Sequence, residues 1–280
     1  MTVLEVVQST TAYFKKRKIE SPRLNAEHLL AHSLGRKRIE LYMEFERELT
    51  EGELAPLREL VRRRGQGEPL QHLLGTVEFC GLTFVSDKRA LVPRPETEEL
   101  VELLIAECRL LNSRIRILDV GTGSGVIALS LAAKLREAET HAVDISEEAL
   151  ALARQNAARL GMADRVQFRR SNLLADVNGA FDLIVANLPY IGSTDCATLS
   201  REVLHDPEQA LLGGERGDEI IRKLVAGAPP HLKPGGMLAL EIGIGQAEGL
   251  AAFLREAKYR DISQRQDYAG VTRFLLARHG

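Results

Sequence analysis

The chain has 280 residues, 45% of them hydrophobic and 27% charged, and a formal net charge of -2. That is the balance of a globular protein with room for one large domain or two, and it leaves no overall basic field to draw the protein onto nucleic acid. Cys80, Cys108 and Cys196 are scattered without metal-ligand spacing, no apolar stretch is long enough to span a membrane, and the start lacks the apolar run of a signal peptide. A reduced, cytoplasmic location is the expectation.

Residues 1–73 read as a helical domain. Leu4, Val7, Thr11 and Phe14 recur at helical spacing, and Lys15 to Lys18 close that helix, where cations suit the negative end of its dipole. Ser21 reads as an N-cap with Pro22 at the first helical position, opening a helix that buries Leu24, Leu29 and Leu30 and stops at Gly35. His28 and His32 share a spacing of four, but no third metal ligand accompanies them. Thr50 and Glu53 fit a capping box for a helix through Leu57, Leu60 and Val61, and Arg62-Arg63-Arg64 reads as its solvated end.

Residues 74–92 change character. Val77 to Val85 alternate β-branched and aromatic residues around Gly81, the pattern of a β-hairpin linking the helical domain to the rest of the chain. Residues 93–280 then form the larger domain. In Pro93-Arg94-Pro95-Glu96-Thr97-Glu98 the prolines stiffen a turn, and Glu96 or Thr97 opens a helix. Arg94 is either a functional charge near a site or a surface partner for the glutamates.

Ile115 to Val120 is a short apolar strand, followed by Gly121-Thr122-Gly123-Ser124-Gly125 and a helix over 126–135. Glycines at such a strand–turn–helix corner let the backbone turn sharply and approach a ligand. Val126 stands where the dinucleotide fingerprint wants its third glycine, and no Lys-Ser/Thr pair follows for a phosphate loop, so the turn suits a ligand without phosphates. The next strand ends at Asp144, about twenty residues on, where a carboxylate accepts hydrogen bonds from both ribose hydroxyls. After a helix over 147–160 and a strand over 165–168, Asn172 stands where it can bond an adenine ring and Leu173 where it can pack on the ring's face.

Phe181 to Ala186 reads as a strand covered on both faces, and Asn187 puts a carboxamide at its C-terminal end, the ligand edge of an open α/β sheet. Pro189 holds Leu188 extended, leaving backbone carbonyls free of any helix, and Tyr190 adds a flat wall with a polar tip. A long irregular segment runs from there to about Gly214. Beyond it come a helix over 219–232, a buried strand over 237–242, a helix over 246–257, and two strands, 262–266 and 272–277, that fit a closing antiparallel pair. The fold expected is α/β, a doubly wound sheet beside an N-terminal helical bundle.

Strand, glycine turn, acidic strand end and Asn-x-Pro-Tyr corner come in the order of class I S-adenosylmethionine methyltransferases, with their Rossmann-like sheet. More closely, the chain resembles the release factor glutamine N5-methyltransferases over nearly its whole length. Val92-Pro93-Arg94-Pro95-Glu96-Thr97-Glu98 beside Asp119 to Gly125, then Asn187 to Tyr190 and Gly235-Gly236, carry the likeness. It implies S-adenosylmethionine at Gly121, Thr122, Gly123, Ser124, Gly125, Asp144, Asn172, Leu173 and Asn187. Asn187, Leu188, Pro189 and Tyr190 become the catalytic corner, with the Asn187 oxygen and the Leu188 carbonyl accepting the two N–H bonds of a substrate carboxamide. The glutamine of the Gly-Gly-Gln loop of peptide chain release factors becomes the substrate, and the helical domain its docking surface. Two residues depart from the family pattern: Leu188 replaces a proline, and Asn172 stands where aspartate is usual. A ribosomal-protein glutamine methyltransferase, a nucleic-acid amino-methyltransferase and a pocket-bearing binding module are the rival readings.

Overall fold

The computed structural model describes residues 1–109 and 114–280, without the side chains of residues 197 and 198. Two compact units divide the chain, one of residues 1–76 with 200–205 and one of residues 77–199 with 206–280.

The first unit holds α1 (Val3–Lys16), α2 (Pro22–Ser33), α3 (Arg38–Leu41), α4 (Glu51–Gly65) and α5 (Leu70–Leu74). Reciprocal capping boxes, Thr2 with Glu5 and Thr50 with Glu53, start α1 and α4 by satisfying N–H groups that have no helical partner. Val3, Val7, Phe14, Leu29, Leu30 and Leu57 meet in one apolar core. Ser21 does not cap α2: its backbone is left-handed, and its carbonyl instead accepts from Asn25 Nδ2 at 3.1 Å. Leu24 is 40% exposed, because it lies well round the helix from Leu29 and Leu30. The arginine run is not uniformly solvated either. Arg64 is only 3% exposed, donating to Asn25 Oδ1 at 2.7 Å, the Glu68 carbonyl at 2.9 Å and Glu202 Oε2 at 2.7 Å. Fixed acceptors replace the water that a chain-end cation would otherwise need.

The second unit, from Val77, takes in all but the first residue of the hairpin β1 (Thr76–Phe79) and β2 (Leu82–Val85), whose Phe79 and Phe84 sink into the main core. Next come α6 (Pro95–Arg109), β3 (Arg116–Val120), α7 (Val126–Lys134), β4 (Glu139–Asp144), α8 (Glu147–Arg159), β5 (Val166–Arg170) and β6 (Phe181–Asn187). The chain ends with β7 (Ile191–Gly192), β8 (Leu212–Gly214), α9 (Glu219–Gly227), β9 (Leu232–Glu241), α10 (Ala247–Glu256), β10 (Tyr259–Gln266) and β11 (Thr272–His279). Seven strands make one sheet in the order β10-β11-β9-β6-β3-β4-β5, parallel from β9 to β5, with the antiparallel pair β10 and β11 closing one edge. Both faces are covered, as the continuous apolar runs require: Leu183 and Val185 face one core, Ile184 and Ala186 the other.

Several boundaries differ from the sequence pattern, β10 for example starting at Tyr259 rather than 262, and two differ most. The segment after Tyr190 is not wholly irregular, since β7 and β8 pair across it and short 3-10 turns lie between them. The helix begun at Glu219 stops at Gly227, because Pro229 and Pro230 cannot extend it, and β9 starts at Leu232. From β3 the chain crosses to β4 on one side, while β6 joins β3 on the other. That reversal opens a crevice at the carboxyl ends of β3 and β6, where ligands bind in such sheets.

Candidate active site

A cavity of about 370 Å³ fills the crevice. Gly121, Thr122, Gly123, Ser124, Asp144, Asn172, Leu173, Asn187, Leu188 and Pro189 all line it, so residues spread over some seventy positions converge on one space. Gly125 and Tyr190 do not line it. A side chain on Gly125, whose φ is 83°, would stand 3.1 Å from both Ala153 and Leu129, so glycine there also permits close helix packing. Tyr190 is half-buried behind the corner, packed on the second core, and its carbonyl accepts from Gln246 Nε2 at 3.0 Å.

Backbone geometry shapes the glycine turn. Gly121 (φ 75°) and Gly123 (φ 55°) adopt left-handed conformations that a side chain resists. Gly121 and Thr122 donate their N–H groups to the Val143 carbonyl at 2.8 and 3.0 Å, folding the turn over the end of β4. Asp119, fully buried, staples the turn to α7: one oxygen accepts from Thr122 Oγ1 at 2.6 Å and from the Ala128 N–H at 3.2 Å, and the other has no hydrogen-bond partner among the described residues. Burial pushes the Asp119 carboxyl up to about 7. Asn156, also fully buried, donates to the Ser124 carbonyl at 3.0 Å and accepts from the Val85 N–H at 2.7 Å, tying the hairpin to the turn.

Asp144 is preorganised from both sides. Its Oδ2 accepts from the Gly123 N–H at 2.8 Å and its Oδ1 from the Ser146 N–H at 2.9 Å. Burial raises its pKa, and those two backbone donors oppose the rise by favouring the ionised form. A carboxylate has about four lone-pair sites, so two directions remain for a diol. Glycine backbone on one side and a carboxylate with free acceptor directions on the other give the cavity a wall and an anchor for a ligand that carries a diol.

Arg94 lines the cavity, and its Nη2 donates at 2.6 Å to the buried Asp206 carboxylate, whose other oxygen accepts from the Val92 N–H at 3.1 Å. Of the two roles open to Arg94, pairing with the helix glutamates is thus replaced by anchoring Asp206. The corner itself has a supporting chain that sequence reasoning missed. Asn187 Nδ2 donates to Thr97 Oγ1 at 3.0 Å, and Thr97 Oγ1 donates to Glu241 Oε2 at 2.8 Å. Asn187 and Glu241 face each other in the β6–β9 ladder, with Thr97 reaching them from α6. With its nitrogen engaged, the Asn187 carboxamide keeps Oδ1 as an acceptor on a side chain that lines the cavity. Burial pushes the Glu241 carboxyl up to about 7, against the pull of Thr97.

Comparison with known proteins adds the family to this geometry. Residues 5–75 match a family described as the PrmC N-terminal domain, and residues 97–215 one described as the methyltransferase small domain. The release factor glutamine methyltransferase of Deinococcus radiodurans is 43% identical over 278 residues, covering 99% of each chain. The chain belongs to the release factor glutamine methyltransferase family. A second relative of that name, from Geobacter sulfurreducens, is 41% identical over 281 residues, covering 100% of this chain and 97% of its own. Among solved structures, a ribosomal protein L11 methylase from Lactobacillus delbrueckii subsp. bulgaricus is 26% identical with a TM-score of 0.50, covering 67% of this chain and 81% of that one. As a release factor glutamine methyltransferase, the chain has the class I methyltransferase fold, and no helix among its described residues is long and apolar enough to cross a membrane.

Proposed function

We propose that this chain transfers a methyl group from S-adenosylmethionine to the side-chain nitrogen of the glutamine in the Gly-Gly-Gln motif of peptide chain release factors, in the cytoplasm. The observation that carries the reading is the orientation of Asn187: its NH2 is held by Thr97, so its oxygen is offered to the cavity that the glycine turn and Asp144 share. Full-length likeness to relatives named for this reaction supports the substrate class.

S-adenosylmethionine would supply an activated methyl on a sulfonium: the N–C bond forms as the S–C bond breaks and a neutral thioether leaves, and the cationic nitrogen then sheds a proton to solvent, so the chain need not provide a strong base. Gly121 and Gly123 give the donor close backbone approach, and Asp144 takes its ribose. Asn172 and Leu173 lie at the cavity wall for its base. Asn187 Oδ1 and the Leu188 carbonyl then accept the two N–H bonds of the substrate amide. Both contacts strengthen as positive charge grows on nitrogen, which lowers the barrier rather than merely tightening binding. The Leu188 side chain is buried, 5% exposed, against Gly121. The helical unit serves as the docking surface for the protein substrate; it exposes Ile39 (68%) and Met43 (84%), apolar side chains suited to a protein partner.

Incubation with methyl-labelled S-adenosylmethionine and a purified release factor, a ribosomal protein or DNA tests the reading. Label is expected on the Gly-Gly-Gln glutamine alone. Label on the ribosomal protein or on DNA with none on the release factor would replace this reading by one of its rivals, and no label on any substrate would leave a binding module.

A further inference from the structure

We propose that Thr97 and Glu241 are positioning residues, a polar relay that decides which atom of the Asn187 carboxamide faces the cavity. The proposal deepens the reading of Asn187 given above and rests on it for its catalytic consequence, though the relay itself is a property of the folded chain.

The available protons set the direction of the relay. A threonine hydroxyl has one proton to give and can also accept, whereas an ionised carboxylate only accepts. The Thr97 proton therefore goes to Glu241 Oε2, 2.8 Å away, which leaves Oγ1 as an acceptor. The Asn187 group that meets Oγ1 at 3.0 Å is then the NH2, and Oδ1 is left for an incoming amide N–H. The three groups come from α6, β9 and β6, and Glu241 is only 2% exposed, so the relay is shielded from water that would scramble it.

The polarity is set at the anionic end. A protonated Glu241 can donate to Thr97 Oγ1, Thr97 can then donate to Asn187 Oδ1, and the carboxamide turned half a rotation offers the cavity an NH2. A substrate amide nitrogen carries donors too, so that state opposes donor to donor. The groups facing Glu241 pull in both directions. Burial and Glu96 disfavour the charge, while Thr97, Arg273 of β11 and Asn187 favour it, and the Tyr190 phenol faces the same carboxylate. The balance places Glu241 at about 7, so both states are reachable near neutrality.

If Thr97 merely starts α6 and fills space, losing its hydroxyl leaves turnover and its pH dependence unchanged. Turnover on a release factor, compared among the natural chain, T97V, T97S and E241Q between about pH 6 and 8.5, separates the two accounts. The relay predicts that T97V lowers kcat at least about tenfold with the KM for S-adenosylmethionine nearly unchanged, and that T97S restores most of it. It also predicts an acidic limb in the natural kcat profile with a midpoint near Glu241's, absent from E241Q. T97V at full kcat, or the same limb in E241Q, overturns it.

A second measurement does not depend on the methyl-transfer assay. In protein labelled with 15N-asparagine, the Asn187 side-chain NH2 signals, assigned by their loss in N187A, are expected to move with pH in the natural chain and to stay still in E241Q. Signals that stay still in both overturn the relay, even for variants whose folding is impaired. If they move as expected while no release factor is methylated, the relay stands and the proposed function falls.

Discussion

The Leu188 side chain lies against Gly121: a methyl placed on that glycine would stand 2.8 Å from Leu188 Cδ2. Leu188 therefore contributes more than the backbone carbonyl that the corner's chemistry needs. It is buried in the second core and closes the corner onto the glycine turn. Where the family usually has proline, this chain exchanges a stiffer backbone, about 0.4–1 kcal/mol when proline fits without strain, for a side chain that packs.

Gly121→Ala is expected to destabilise the fold twice over, by left-handed strain of about 1–2 kcal/mol and by collision with Leu188. Leu188→Ala relieves the collision but not the left-handed strain, and by itself costs the buried contacts of the leucine side chain. Urea unfolding of the single and double variants should give a coupling well beyond the roughly 0.5 kcal/mol of independent sites. Additive losses would mean that the two residues do not share their space.

Asn187→Ala should lower kcat by about a hundredfold or more, the scale of removing one preorganised polar group from a transition state. Equilibrium dialysis with labelled S-adenosylmethionine should show affinity within about threefold of the natural chain, since the glycine turn and Asp144 remain. Turnover preserved in this variant would remove Asn187 from the chemistry.

Asp144→Asn places one NH2 group where both oxygens now accept backbone N–H bonds, from Gly123 and Ser146. One of those donors loses its acceptor, a cost of about 1–3 kcal/mol that falls on the ligand-ready turn. Calorimetric titration should show S-adenosylmethionine bound about ten- to a hundredfold more weakly, with kcat at saturation little changed. Unaltered affinity would place the ribose elsewhere.

Stability should respond to pH through Asp119 and Glu241, both pushed up to about 7 by burial. Their folded pKa values lie above those of the unfolded chain, near 4, so their contribution is complete below about pH 4 and is lost as pH rises through about 7. His28 acts in the opposite sense, because burial, then Arg38, lowers its pKa. Differences between variants isolate the carboxylates. Urea midpoints of the natural chain, D119N and E241Q at about pH 5.5, 6.5 and 7.5 should show each variant losing less stability as pH rises. Parallel curves would place both carboxylates in the ordinary acid range.

Much of the fold is legible in the sequence, because its signals are local. The capping box at Thr50, the glycine turn after β3, the apolar runs of β3 and β6 and the Gly270 turn between β10 and β11 each need only near neighbours. The local pattern misleads where a distant partner overrides it. Arg64 reads as a solvated helix end until Asn25 and Glu202 enclose it.

By itself the sequence determined the order of the main strands and helices outside the segment from 191 to 214, the positions of Gly121, Asp144 and Asn187 at strand ends, and the family. Those features arise from backbone preference and side-chain period, which act over a few residues. Only the tertiary structure decided that Thr97 and Glu241 stand behind Asn187, since they are joined across separations of 90 and 144 positions. It likewise decided that Gly125 packs closely on Ala153 and Leu129, that Tyr190 packs on the second core, and that Leu188 presses on Gly121. A hydrogen bond or a contact depends on distance in space, and along the chain such partners leave no spacing to read.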